Sequence, residues 1–113
     1  MYWNIATAHG GFSTWGWAQN SLVSVDTDAK KYNFNSDYYL LKHLTHLADV
    51  GSRTLETTGT CDDALAFANP DSSIVLLVRN ELQQSQLLEA NVAGRVATIG
   101  LPADSIGTLV LRA

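Results

Sequence analysis

The residues with the most chemical capacity cluster near one end of the chain. All three tryptophans, Trp3, Trp15 and Trp17, fall within WNIATAHGGFSTWGWAQN, residues 3–20, beside Gly10, Gly11 and Gly16. The glycines let the backbone turn tightly around these rings, which either face a ligand or pack. His43 and His46 stand three apart in a helical stretch, a spacing that can hold a metal ion. They have no third ligand nearby, and the single cysteine, Cys61, gives no zinc pattern. Cys61 reads as an inert small residue, and neither metal nor cofactor is expected. Asp26 follows a strand-like run and has the look of a catalytic carboxylate, whereas Asp62-Asp63 reads as a turn. Glu56, Glu81 and Glu89 are scattered through the strand-rich half and read as solvated surface charges.

Composition narrows the function classes. The chain has 113 residues, 46% of them hydrophobic, which is enough for a buried core. Net charge is −4, and the seven lysines and arginines are dispersed. A nucleic-acid footprint needs a basic patch, so no nucleic-acid partner is expected. No apolar run is long enough to span a membrane. The first residues show no basic segment followed by an apolar one, so no signal peptide is visible.

These residues must be held by elements that the patterning predicts. Residues 1–7 read as a short strand, 8–20 as a loop and SLVSVDT as a second strand, followed by a polar turn region, DAKKYNFN. SDYYLLKHLTHLADVG then spaces Leu40, Leu44 and Leu47 by four and three, with Leu41 and Tyr39 at the flanks. This predicts a helix over 37–48 with Ser36 as N-cap, Asp37 at the positive end of the dipole and Gly51 as the stop. Beyond Gly51 only short strand-like runs follow. Turn signals separate them at Gly59, Asn69-Pro70-Asp71, Asn80, Gly94 and Pro102, a pattern of antiparallel sandwiches or small barrels. SIVLLV is apolar at consecutive positions, as in a central strand buried on both faces. Ile74, Leu76, Val78, Leu109 and Leu111 are the predicted core. The expected organisation is residues 1–48 as strand, loop, strand and helix, and residues 49–113 as sheet.

The phrases YWNIATAHGGFSTWGWAQNSLVSVD, YYLLKHLTHLADVGSRTL, ALAFANPDSSIVLLVRN and LPADSIGTLVL, in that order, resemble the C-terminal end of family 30 glycoside hydrolases. That family includes glucosylceramidases, endo-β-1,6-glucanases and galactanases. The resemblance covers essentially the whole chain. It implies a mainly β fold: an antiparallel β-sandwich preceded by the last strand and helix of a (β/α)8 barrel. Residues 1–48 would be that last, incomplete barrel unit and residues 49–113 the sandwich domain.

The resemblance also implies a division of labour. Retaining hydrolysis needs two carboxyl groups about 5 Å apart. In the family both are glutamates at the ends of the fourth and seventh barrel strands, which this chain does not contain, so no catalytic residue is expected in it. The loop after the eighth strand would line the active-site cleft. Its indoles would stack on the apolar faces of sugars. Trp3, Trp15, Trp17 and Asn20 are the expected substrate-binding residues, and His9 would lie within reach. Asp26 would be structural. The full-length enzyme would act on a carbohydrate or glycolipid, outside the cell. The remainder of the barrel would be the chain's partner, and the chain alone would be inactive and would either self-associate through its N-terminal third or fold that third back onto the sandwich. Two other readings stay open: a stand-alone carbohydrate-binding module and a structural sandwich without ligand.

Overall fold

A computed structural model describes residues 4–8 and 11–112. The chain divides into two compact units, residues 1–42 and residues 43–113.

In the first unit, strands β1 (Ala6–Ala8), β2 (Val23–Asp26) and β3 (Lys31–Phe34) form a sheet in that order. β1 runs parallel to β2, and β3 runs antiparallel to β2. The sequence reading needs correction at both ends of this sheet. The first strand occupies Ala6–Ala8, not the predicted 1–7, and residues 1–3 lie outside the described residues. The stretch read as a polar turn contains β3. The turn itself is confined to the residues between Asp26 and Lys31. The Asp26 carboxylate accepts from the amides of Asp28 and Ala29, and Lys30 takes a positive φ of 54°. Asp26 is thus a turn-forming residue.

Helix α1 (Ser36–Leu47) begins in the first unit and ends in the second. Ser36 is its first helical residue, so the flanking position falls to Asn35 rather than to the predicted Ser36. None of its residues is buried, and Leu40 and Tyr39 are exposed. The apolar face is therefore displaced from the predicted one towards Leu41, Leu44 and Leu47, which are half-buried. Past the helix, Gly51 takes a φ of 93°, a conformation that glycine adopts without strain.

The second unit is the sandwich. One sheet has the order β4 (Arg53–Leu55), β5 (Ala64–Ala68), β6 (Ile74–Asn80), β9 (Ser105–Leu111), all antiparallel. The hairpin β7 (Gln86–Val92) and β8 (Arg95–Leu101) makes the other layer. Its two-residue turn, Ala93-Gly94, has φ of 51° and 81°, the two positive values of a type I′ hairpin.

β6 is the inner strand, and both of its faces are covered. Leu76 and Val78 join Ala66 and Leu101 in the core, with Leu88, Ile99 and Leu109 packed against them. On the opposite face Val75 and Leu77 are also buried. There Thr108 of β9, the register partner of Leu77, is hydrogen-bonded through its hydroxyl to Nδ1 of His43 at 2.7 Å. Of the predicted core, Leu76 and Val78 are buried and Leu109 packs on them. Ile74 and Leu111 pair with each other at the far end of β6–β9 and are only half-buried.

Three residues tie this unit together. A side chain at Gly107 would meet Leu101 Cδ2 at 2.5 Å and Ile99 Cδ1 at 3.1 Å, so the hairpin's Leu101 and Ile99 side chains occupy the space that the missing Cβ leaves. Asn69 is buried; its amide donates to the Leu47 carbonyl and the Ser73 hydroxyl, and its oxygen accepts from Asp49 N and Ser52 Oγ. It thereby satisfies one of the carbonyls that the end of α1 leaves without a helical partner. Asn80 does similar work at the end of β6, donating to the carbonyls of Gln84, Leu101 and Pro102 and accepting from Leu82 N.

Candidate functional site

The segment read as a loop folds, between Gly11 and Gln19, into a tight hairpin. Phe12 and Ala18 form a single antiparallel bridge. Gly16 N donates to Ser13 O at 3.0 Å, and Ser13 N donates to Trp17 O at 2.9 Å. Gly16 has a φ of 80°, which makes this a three-residue turn with glycine at the left-handed position. The Ser13 hydroxyl accepts from the amides of Trp15 and Trp17 and stiffens the tip from inside. At the base, Gln19 N donates to Gly11 O at 2.7 Å. A side chain at Gly11 would lie 2.8 Å from the carbonyl oxygen of Gln19, and Gly11 has a φ of 71°, so both space and conformation demand glycine.

The tip carries the indoles outward. Trp15 is 78% exposed and Trp17 69%, and their ring centroids lie 6.0 Å apart at 36°. That separation leaves no room for another ring between them, so the pair forms one bent platform rather than a clamp. Phe12 at the foot of the hairpin is also exposed. Burying such side chains against water is worth roughly 1.5–3 kcal/mol each, a gain that this fold leaves unused at its tip.

Beside the hairpin base lies an open hollow of about 230 Å³ within the first unit. Thr7, Ser21, Ser24 and Asn35 line it. Gln19, Asn20, Ser36 and Asp37 complete it. No local pattern marks this hollow as a whole, because its polar residues come from four separate stretches of chain. Asn20, a predicted binding residue, sits on its rim and is exposed, whereas Trp15 and Trp17 do not line it. Trp3 and His9, the other two residues expected near substrate, lie outside the described residues, as does Gly10.

The remaining candidates are distributed elsewhere. Glu81 pairs with Arg79 at 2.5 Å, with both side chains about half exposed, a kind of pair that contributes little. Glu89 lies within β7 and Glu56 just beyond β4. His43 is engaged by Thr108, and His46 is exposed in the last turn of α1.

Comparison with known proteins fits this architecture. Residues 51–109 match the model of the glycosyl hydrolase family 30 beta sandwich domain. The structure of SrfJ from Salmonella typhimurium superposes with a TM-score of 0.87 over 98% of this chain, at 21% identity. The endo-β1,6-glucanase BT3312 superposes with a TM-score of 0.80 over 98% of this chain, at 22% identity. The chain spans 26% of the length of each of those two structures. No curated protein matches it in sequence. With the sandwich of residues 43–113 and the match over residues 51–109, the chain belongs to glycoside hydrolase family 30 through its C-terminal β-sandwich domain.

Proposed function

We propose that the chain is the C-terminal part of a retaining glycoside hydrolase that acts on β-glycosidic bonds, in β-1,6-linked glycans or in glucosylceramide. In this reading it contributes the sandwich and one wall of the sugar-binding cleft. The two catalytic glutamates reside in barrel strands outside it, and the whole enzyme works outside the cell. The observation that carries the proposal is the exposed Trp15–Trp17 platform on a hairpin stiffened from within. Indole faces stack on the C–H faces of sugars, and family membership supplies a carbohydrate context. Trp3 and Asn20 belong to the same wall in this reading.

A titration of the chain with a β-1,6-linked glucose tetrasaccharide, followed by indole fluorescence, tests it. Saturable quenching is expected, and Trp15→Ala or Trp17→Ala should each weaken binding by about 1 kcal/mol. Unchanged fluorescence, or variants that bind like the parent, would refute the platform's role. Hydrolysis of an aryl β-glucoside by the purified chain would refute the assignment of catalysis to residues outside it.

A further inference from the structure

Of the residues that line the hollow next to the hairpin, Asn20 alone was expected to bind substrate. Every residue that lines it has a polar side chain, Thr7, Ser21, Ser24, Asn20, Asn35 and Asp37 among them, while part of the exposed wall is carbon. That chemistry narrows the occupant. A wholly apolar group would strip water from the polar part of the wall without replacing its hydrogen bonds. An anion would meet the Asp37 carboxylate. A structural cation wants several carboxylate or carbonyl oxygens, and among the described residues no three His, Cys, Asp or Glu side chains come together. What fits is a neutral ligand that carries several hydroxyls.

Part of the lining is already locked. Thr7 Oγ1 and Ser21 Oγ share a hydrogen bond of 2.7 Å. Asn35 Nδ2 donates to the Ser21 carbonyl at 2.8 Å, and Ser24 Oγ donates to Asn35 Oδ1 at 3.0 Å. Ser21 itself is buried at 4% exposure. Groups held in this way present fixed donors and acceptors and lose little freedom when a ligand arrives. The Asn20 side chain makes no hydrogen bond among the described residues and projects from the segment that leaves the hairpin, three positions after Trp17.

We propose that this hollow is a hydroxyl-reading subsite, which takes the polar edge of a neutral sugar unit whose neighbour rests on the indole platform. The proposal rests on the reading of the hairpin as a sugar-binding wall and adds to it the residues that select among sugars. A stacking surface accepts many flat sugar faces. A polar hollow discriminates, because a ligand lacking the matching hydroxyl forgoes the hydrogen bonds that the right one makes.

The test is an NMR titration of the isotope-labelled chain with the same β-1,6-linked glucose tetrasaccharide, which reads the side-chain amides of Gln19, Asn20 and Asn35 and the indole N–H signals separately. The expected result is that the Asn20 and Asn35 amide signals move with the same saturation as the indole signals. Asn20→Ala, which removes no side-chain hydrogen bond among the described residues, should weaken binding by about 2- to 12-fold, the worth of one neutral hydrogen bond. A Trp15→Ala variant should weaken binding yet leave the Asn20 and Asn35 shifts visible at saturation. Movement of the indole signals with none at Asn20 or Asn35 overturns the subsite and leaves the platform standing. Movement at the hollow alone sustains the subsite and removes the platform. No movement at either overturns both.

Discussion

The two units of this chain solve the problem of burial differently. In residues 43–113 the buried side chains include Ala66, Val75, Leu76, Leu77, Val78 and Leu101, and the buried polar residues Asn69, Ser73 and Asn80 serve the turns around them. Among the described residues of 1–42 the buried ones are Gly11 and Ser21, and the large apolar side chains Ile5, Phe12, Trp15, Trp17, Tyr32 and Phe34 are exposed. The first unit is held by hydrogen bonds through Ser21 and Asn35 and by ring contacts such as Phe34 on Tyr38, with centroids 4.1 Å apart. The sandwich therefore carries the stability and the first unit carries the surface chemistry. Mutations should separate the two roles.

The largest effect is expected in the core. Leu76→Ala removes a side chain at 7% exposure from the centre of the cluster and should cost about 2–5 kcal/mol. Chemical denaturation would measure it. A loss below about 1 kcal/mol would mean that the sandwich is not the stabilising unit. Next comes Asn69→Ala, which leaves the Asp49 amide, the Leu47 carbonyl and two serine hydroxyls short of a partner. It should cost about 1–3 kcal/mol and increase amide exchange at the end of α1 before it does so in β6. Gly107→Ala should cost about 1–3 kcal/mol by pushing Leu101 and Ile99 off their positions. A Leu101→Ala partner change should recover part of that loss, since it removes the atom being struck.

How much of this was legible in the sequence depends on whether the signal was local. The period of SDYYLLKHLTHL gave the helix to within a residue, and the unbroken apolar run of SIVLLV gave the doubly covered strand. Both are patterns of consecutive residues. β3 was missed because Lys31–Phe34 alternates polar and aromatic residues over only four positions, all of them exposed, directly after a turn. The hairpin at 11–19 was read as a loop because its geometry rests on Ser13 side-chain bonds and two positive-φ glycines rather than on a hydrophobic period. The roles of Asn69, Asn80 and Gly107 depend on partners far along the chain, which no local pattern reveals. The polar hollow went unseen for the same reason.

On the first unit the comparison predicts the opposite behaviour. Replacing Trp15 and Trp17 together with alanine should shift stability by no more than about 0.5 kcal/mol, since neither ring packs into a core. The same double variant should lose the oligosaccharide response. A double variant that unfolds at much lower denaturant would show that the rings hold the hairpin together, and the platform would then be a packing feature.

The smallest expected effect is a pH dependence local to the β5–β6 turn. Asp71 Oδ1 accepts from the Ser73 hydroxyl at 2.6 Å and from the Ser73 amide at 2.8 Å. These bonds, the hydroxyl's foremost, favour the charged carboxylate and hold the Asp71 pKa below its ordinary value of 3.8. A carboxyl whose pKa is lower in the folded chain than in the unfolded one stabilises the fold while both states are ionised. Its contribution is thus fully present above the ordinary carboxylate range. As pH falls below about 3.8 the unfolded chain takes up the proton first, and the contribution disappears by the time the folded carboxyl is protonated too. Because Asp71 is exposed, the effect is small and must be read as a difference. Urea midpoints of the parent and of Asp71→Asn should differ by a constant amount from pH 5 to pH 7, and the gap should narrow below about pH 4. The sandwich core should leave the remainder of both curves parallel, since none of its members titrates. A gap that stays constant down to pH 2 would mean that the Ser73 bonds do not distinguish the charged from the neutral carboxyl. The turn would then be held by its backbone geometry, including the φ of 67° at Ser72, and not by the ionisation of Asp71.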